Sequence, residues 1–340
     1  MRFKGIEVVT KEMKINFNSV DLRLSGGNRF LFELSNGLVE RGHHVTFTHV
    51  GRPYFKNWFA PIKADVKECG LGMFSIALSK LGLKRIDELE EQQRLLITNC
   101  PECDVNVASF WATAKPTFES RKGKPFYIIQ HYAPYVYPEN RLEYLQSFEY
   151  PMTKLCVSDW VAKKIGGYNI GNGINLKRFR RNQKIDKIPK SIMYSARSQS
   201  WKNREIGFSV LSALEHNGYK ILLTQERSSD YELIRMYNQA EIYLNFSDKE
   251  GFGYGPIEAM ACGCAVVSTP CSEYLRDEVN CMIVSSNSRV KDIVTKISDL
   301  YLDQVKFSIL KANGYITAEE HDIKCVVDRF AEIIQTKEKD

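Results

Sequence analysis

The chain is 340 residues long, 44% hydrophobic and 26% charged, with a formal net charge of +6 at pH 7. That length accommodates two domains with separate cores, and the composition is ordinary for a soluble globular protein. No apolar run approaches the roughly 20 residues that cross a bilayer, and so mild a charge would suit nucleic acid only if clustered, so no nucleic-acid partner is expected.

The first dozen residues, with Glu7, Lys11 and Glu12 among a few apolar ones, do not read as a secretory signal. They read as a short extra strand, or as a misread start upstream of Met13. Lys14-Ile-Asn-Phe-Asn-Ser is a first strand, ending at Ser25-Gly26-Gly27-Asn28. A helical pattern follows in Phe30, Leu31, Leu34, Leu38 and Val39, closed by Arg41-Gly42. His44-Val-Thr-Phe-Thr-His-Val is the next strand, which completes a βαβ unit with its glycine turn at the carboxyl edge of a parallel sheet. Residues 53–85 combine the aromatic-basic run Pro53-Tyr-Phe-Lys-Asn-Trp-Phe59 with an apolar helical face of Met73, Phe74, Ala77, Leu78 and Leu81. Two readings stand: peripheral contact with an anionic membrane surface, or a helix packed on its own sheet.

Asp104-Val-Asn-Val-Ala-Ser and Pro125-Phe-Tyr-Ile-Ile-Gln are further strands, the second running into His131. A histidine at a strand's carboxyl end stands where α/β proteins place chemistry, although a lone one is more often structural. Cys100-Pro-Glu-Cys103 is a lone C-x2-C without a second pair and reads as loop cysteines. Nine cysteines at irregular spacing suggest reduced thiols and a cytoplasmic location. Leu155-Cys-Val-Ser is a strand, with Ser158-Asp159 capping the next helix, and Tyr168 to Asn175 is a turn-rich exit.

Residues 177–190 hold seven basic residues against one acid and read as a basic linker. The βα rhythm then resumes. Strands are expected at Ile192–Ala196, Tyr219–Thr224, Glu241–Phe246, Ala265–Ser268 and Cys281–Val284, and helices at 203–216, 230–237, 288–312 and 318–336. The expected fold is α/β, with two parallel-sheet, Rossmann-like domains.

The densest signal is Glu250-Gly-Phe-Gly-Tyr-Gly-Pro-Ile-Glu258, in which Gly251, Gly253 and Gly255 separate two carboxylates. Glycines allow a ligand close to the backbone, and Pro256 suits the first position of a helix, which places Glu258 in its first turn. Such a loop-to-helix junction attracts anions and would suit a phosphorylated sugar.

These residues resemble the nucleotide-sugar glycosyltransferases of family four, whose E-x7-E signature stands here as Glu250 to Glu258, followed by Ala259-Met-Ala-x-Gly-x-x-Val266. Gly26-Gly27, His131, Ser158, Asn172-Gly173-Ile174-Asn175 and the Arg197, Lys202 pair resemble further family elements, in the expected order. The resemblance implies the GT-B fold, two Rossmann-like domains facing across a cleft. The expected parts are an acceptor-binding domain over 1–176, the linker 177–190, a nucleotide-sugar domain over 191–317 and a C-terminal helix over 318–340 that packs back on the first domain. It also implies roles. Arg197 and Lys202 stabilise the departing diphosphate, and the amides of Gly26, Gly27 and the 251–255 loop, including Phe252 and Tyr254, assist them. Glu258 holds ribose hydroxyls, Glu250 the donor sugar, and His131 faces the transferred sugar.

The donor is then a nucleotide-diphosphate sugar, with no further cofactor and no metal. The acceptor is a saccharide or lipid-linked saccharide, transfer is with retention, and the setting is the cytoplasm or the inner face of the membrane. The sequence departs from the family pattern at Asn175, Asn245, Tyr254 and Cys271. Alternative readings on the same fold are a nucleotide-sugar epimerase or phosphorylase, or a non-catalytic partner subunit.

Overall fold

In a computed structural model the chain divides into two compact units. One comprises residues 1–56, 60–170 and 327–340; the other comprises 57–59 and 171–326. The structure describes residues 11–22, 25–50, 59, 61–70, 88–132, 134, 139–196, 202–224, 228–248 and 250–338. Arg197 and residues 53–58, 60 and 71–85, which include the whole apolar face from Met73 to Leu81 on which the membrane-contact reading rests, lie outside the described residues, as do residues 1–10.

The first unit is built on seven parallel strands in the order β3-β2-β1-β4-β5-β6-β7. These are β1 (Lys14–Ser19), β2 (His44–His49), β3 (Asp65–Glu68), β4 (Val105–Ala108), β5 (Lys124–Ile129), β6 (Thr153–Cys156) and β7 (Tyr168–Asn169). Its helices are α1 (Gly26–Glu40), α2 (Glu88–Asn99), α3 (Trp111–Glu119), α4 (Arg141–Gln146) and α5 (Asp159–Ile165), with most of α11 (Ile323–Glu338), from Val327 on. Strand order reverses between β1 and β4, which makes the loops leaving those strands the natural ligand edge. Phe17, Phe32, Phe47 and Phe330 are fully buried, and Phe17 stacks on Phe47 at 5.2 Å and on Phe330 at 6.1 Å. Burying each such ring is worth roughly 1.5–3 kcal/mol, so α11 is a substantial part of this core.

A second device holds the sheet. Asn16 and Asn106, register partners on β1 and β4, hydrogen-bond at 2.9 Å, and Asn18 Nδ2 donates to Asn106 Oδ1 at 2.8 Å. Thr48 Oγ1 donates to Asn16 Oδ1 from β2, Asn18 Nδ2 donates to Thr117 Oγ1 on α3 at 2.8 Å, and Asn106 Nδ2 donates to Ser120 Oγ just beyond it. All but Ser120 are fully buried, so each group must find a partner inside the protein or pay a desolvation penalty.

The second unit carries five parallel strands in the order β12-β11-β10-β8-β9. They are β8 (Ser191–Ser195), β9 (Lys220–Thr224), β10 (Ile242–Asn245), β11 (Ala265–Ser268) and β12 (Met282–Ile283). The helices are α6 (Arg204–His216), α7 (Asp230–Gln239), α8 (Tyr254–Ala261), α9 (Val290–Leu302) and α10 (Gln304–Glu320). Here the order reverses between β10 and β8. Residues 177–190 lie within this unit and are stitched to α7: Arg181 Nη1 donates to Asn238 Oδ1 and Lys187 Nζ to Tyr237 O at 3.0 Å.

Four expectations are corrected. Gly26 and Gly27 are not a loop but the first residues of α1, whose N-cap Ser25 accepts from Asn28 N. The helix after the glycine loop begins at Tyr254 rather than Pro256, so Glu258 sits beyond its first turn. The two C-terminal helical stretches are three helices, because Asp303 accepts from Lys306 N and caps a new one. Ser158 holds the N-cap position of α5 but makes no capping bond, and its buried Oγ has no partner among the described residues.

Candidate functional site

The second unit's switch point is formed by the loops leaving β8 and β10, and they are tied together directly. Asn203, in the left-handed region with φ of 47°, opens α6 and donates from Nδ2 to Phe246 O at 2.9 Å and to Asp248 Oδ1. Beside it, Lys202 Nζ donates to Glu250 Oε1. The Lys202 and Glu250 side chains are 24% and 18% exposed, enough for a ligand to reach yet dry enough to strengthen the pair over a surface one. Glu250 is also held by its backbone, its N–H donating to Cys271 O at 2.9 Å. The structure therefore brings together two of the expected charged residues at the place where a doubly wound sheet binds ligands.

From Glu250 the chain passes through Gly251 and Phe252 to Gly253, the N-cap of α8, with φ of 86°. That conformation is rare for residues with a Cβ, and a Cβ there would lie 2.3 Å from Ser272 Oγ. Tyr274 OH donates to Gly253 O, fixing the turn from below. Gly255 has a different reason: a Cβ would stand 2.2 Å from Tyr243 OH. Tyr254 OH reaches Asn172 Oδ1 at 2.6 Å, which also accepts from Gly173 N, so the Asn-Gly turn and the glycine loop are braced together. Phe252 packs on Tyr254, Tyr274 and His321, with ring centroids 5.2–5.6 Å apart.

Glu258 is 4% exposed, and its Oε2 accepts from Tyr237 OH at 3.0 Å. Burial, and next the Glu258 charge, push the Tyr237 phenol well above its ordinary pKa, so it stays protonated and acts as donor. Burial likewise raises Tyr274 and the Cys271 thiol, which keeps the floor of the loop neutral. Three tyrosines, Tyr237, Tyr243 and Tyr274, thus shape this junction. Sequence reading missed them because the groups they meet lie elsewhere in the chain; a buried hydroxyl that must find a partner was the available signal.

In the first unit the residues anticipated from sequence gather at the carboxyl edge. Gly27 lies at the start of α1, and a Cβ on it would meet Gln130 Oε1 at 2.9 Å, while Gln130 Nε2 donates to Gly27 O at 3.4 Å. Gln130 thereby links Gly26-Gly27 to the end of β5 and to its neighbour His131. Burial holds the His131 imidazole below its ordinary pKa, so it is predominantly neutral at pH 7, and its carbonyl accepts from Tyr144 OH at 3.2 Å. Among the described residues no group of three or more His, Cys, Asp or Glu could hold a metal ion, and no helix is long and apolar enough to cross a membrane.

Two parallel sheets, each with its own switch point, are those of the GT-B fold, and residues 195–303 match the model of the family "Glycosyl transferases group 1". The family-four resemblance thus holds over the stretch that carries its signature. Among solved structures the chain is similar to HepE of Anabaena, in complex with UDP and glucose, at 15% identity, covering 96% of this chain and 100% of that one with a TM-score of 0.72. It is similar to sucrose-phosphate synthase of Thermosynechococcus elongatus at 15% identity, 96% and 99% coverage and a TM-score of 0.75. An alpha-glucosyltransferase in complex with UDP and a 13-mer DNA containing an HMU base matches at 12% identity, 95% and 100% coverage and a TM-score of 0.64. At such identities the likeness establishes the fold. No curated protein matches the chain by sequence.

Proposed function

We propose that this protein transfers a sugar from a nucleoside-diphosphate donor to a hydroxyl of a saccharide or lipid-linked saccharide, with retention of anomeric configuration. The observation that carries the reading is the Lys202–Glu250 pair at the β8/β10 switch point, one element away from buried Glu258. In the reaction the bond from the sugar's anomeric carbon to the diphosphate breaks, and a bond from that carbon to the acceptor oxygen forms. The bonding pair leaves on the diphosphate oxygen, which takes up the acceptor hydroxyl's proton, so atoms and charge balance.

Lys202, with Arg197, neutralises the charge that develops on the departing diphosphate, and the start of α8 adds the positive end of its dipole. Glu250 receives donor-sugar hydroxyls, a role for an acceptor-only side chain at the open end of the loop. Glu258, deeper and already hydrogen-bonded, receives the ribose hydroxyls. His131 and the amides of Gly26 and Gly27 serve the sugar and phosphates from the first unit. A neutral imidazole can donate or accept toward a sugar without adding charge.

No protein nucleophile is assigned. A retaining hydrolase would hold two carboxylates about 5 Å apart across the scissile bond, whereas Glu250 and Glu258 both belong to one loop-helix unit. Surface-polysaccharide or glycolipid assembly in the cytoplasm is the setting we favour, from the irregularly spaced thiols and the family resemblance. The UDP bound in the HepE and alpha-glucosyltransferase structures makes uridine donors the first to try.

The test is a thermal-shift screen of ADP, GDP, UDP and their sugars on the full chain, repeated with Lys202→Ala and Glu258→Ala. A ligand at 100 times its Kd should stabilise by about 2.7 kcal/mol. Loss of the shift in both variants supports the assignment. An unchanged shift in both removes it.

A further inference from the structure

We infer that Tyr237 is the positioning residue that fixes the Glu258 carboxylate for a ribonucleotide, and so sets the preference for ribose over 2′-deoxyribose. The inference rests on the proposed reading of Glu258 as the ribose-side carboxylate.

A glutamate's last torsion is broad and roughly two-fold, so a carboxylate with nothing to aim it presents its oxygens in many directions. Glu258 is not left so: Tyr237 OH, from α7, donates to Oε2 at 3.0 Å across 21 residues of sequence. The donor is itself immobile. Tyr237 is 2% exposed, its ring lies 5.5 Å from Tyr243 and 6.5 Å from Phe179, and its carbonyl accepts from Lys187 Nζ and from Cys264 Sγ, each at 3.0 Å. Phenylalanine would fill the same apolar space. A hydroxyl is needed there because a buried carboxylate must be met by a donor, and a donor that keeps its proton at working pH serves at every moment. A carboxylate has about four acceptor sites, of which Tyr237 takes one on Oε2, and ribose hydroxyls would engage the same group.

What this adds is selectivity. Cis-diol hydroxyls meet a carboxylate well only when its plane is set in advance. A carboxylate free to swing to one hydroxyl discriminates less against a sugar that lacks the other.

The experiment is calorimetry of UDP against 2′-deoxy-UDP, with ADP and GDP and their 2′-deoxy forms alongside, on the wild-type chain, Tyr237→Phe, Glu258→Ala, Glu258→Gln and the Tyr237→Phe/Glu258→Gln double variant. The expected result is a ribose preference that falls about fivefold or more in Tyr237→Phe, with affinity for pyrophosphate unchanged. The double variant should lose no more than Glu258→Gln alone. A preference lost in Glu258→Ala but kept in Tyr237→Phe overturns the inference and leaves the ribose reading standing. A preference kept in both, or absent from the wild type, overturns the ribose reading itself. If Tyr237→Phe fails to fold, Tyr237→Leu and Tyr237→Met take its place, and a ribose preference kept in either overturns the inference.

Discussion

Lys202 and Glu250 satisfy each other, so on the proposed reading a diphosphate that engages the lysine competes with the glutamate for it. This predicts opposite effects from two substitutions in one ion pair. A pair at roughly one-fifth exposure lies between the surface case, up to about 1 kcal/mol, and the buried case, about 3–5 kcal/mol for removing one partner, so about 1–2 kcal/mol is reasonable here. Glu250→Gln removes that competitor and a like charge facing the diphosphate. UDP, which has no sugar to hold, should then bind about 5- to 30-fold more tightly by calorimetry. Sugar transfer from the intact donor should fall, because the hydroxyl acceptor has lost its charge. Lys202→Ala removes the phosphate's cation and leaves Glu250 facing it, so UDP should bind at least 10-fold more weakly. The gain in Glu250→Gln should shrink modestly as salt is raised, since screening weakens the competing pair, though less than it would a surface pair. Weaker UDP binding in Glu250→Gln would refute the exchange, because it would mean that Glu250 assists the diphosphate rather than competing for its lysine.

Gly255→Ala should destabilise the protein by about 1–3 kcal/mol, since the new methyl collides with Tyr243 OH, and Tyr243→Phe added to it should restore part of the melting temperature. An additive double variant would place the strain elsewhere. His43 offers a pH test. Burial, with Arg41 nearby, lowers its folded-state pKa below 6.5, and both ring nitrogens lack partners among the described residues. The unfolded chain therefore binds the proton first: the stabilisation is fully present above about pH 6.5 and is lost as pH falls below it. Urea unfolding at pH 7.5, 6.5 and 5.5 should show this decline, and His43→Gln should flatten the part of it that His43 supplies.

Where sequence patterns reported local chemistry, they were reliable. β1, β2 and β11 have the expected composition and place, and the charged ends of the E-x7-E stretch lie at the loop and helix they announced. What stayed hidden depends on partners distant in the chain. Pro256 reads as a helix's first residue, yet α8 begins two residues earlier, after Gly253 in a left-handed turn whose carbonyl accepts from Tyr274 OH and which leaves no room for a Cβ beside Ser272. Helix α3 was not anticipated because Pro116 stands in it. The amide that proline lacks would have bonded Ala112 O, and Gln93 Nε2 from α2 takes that carbonyl instead, at 3.1 Å. Strand β3 is four exposed residues, Asp-Val-Lys-Glu, without alternation to reveal it, and exists by pairing with β2. In the site, the carboxylates were legible because their spacing is local. Of the tyrosines around them, Tyr237 on α7 meets Glu258, while Tyr243 on β10 and Tyr274 after β11 stand against Gly255 and Gly253, and no spacing rule connects these residues.

The asparagine network in the first unit bears on anyone who would exchange parts of this protein. Asn16, Asn18 and Asn106 work as a lock whose levers lie on separate strands, with the catch on α3 at Thr117. A graft that carries β1 from another glycosyltransferase while keeping β4 and α3 would seal unmatched amides inside the sheet, each costing about 1–3 kcal/mol. The smallest portable block of the first unit is therefore β1, β2, β4 and α3 moved together, and recombination boundaries belong after Ser120 or before Lys14 rather than anywhere between.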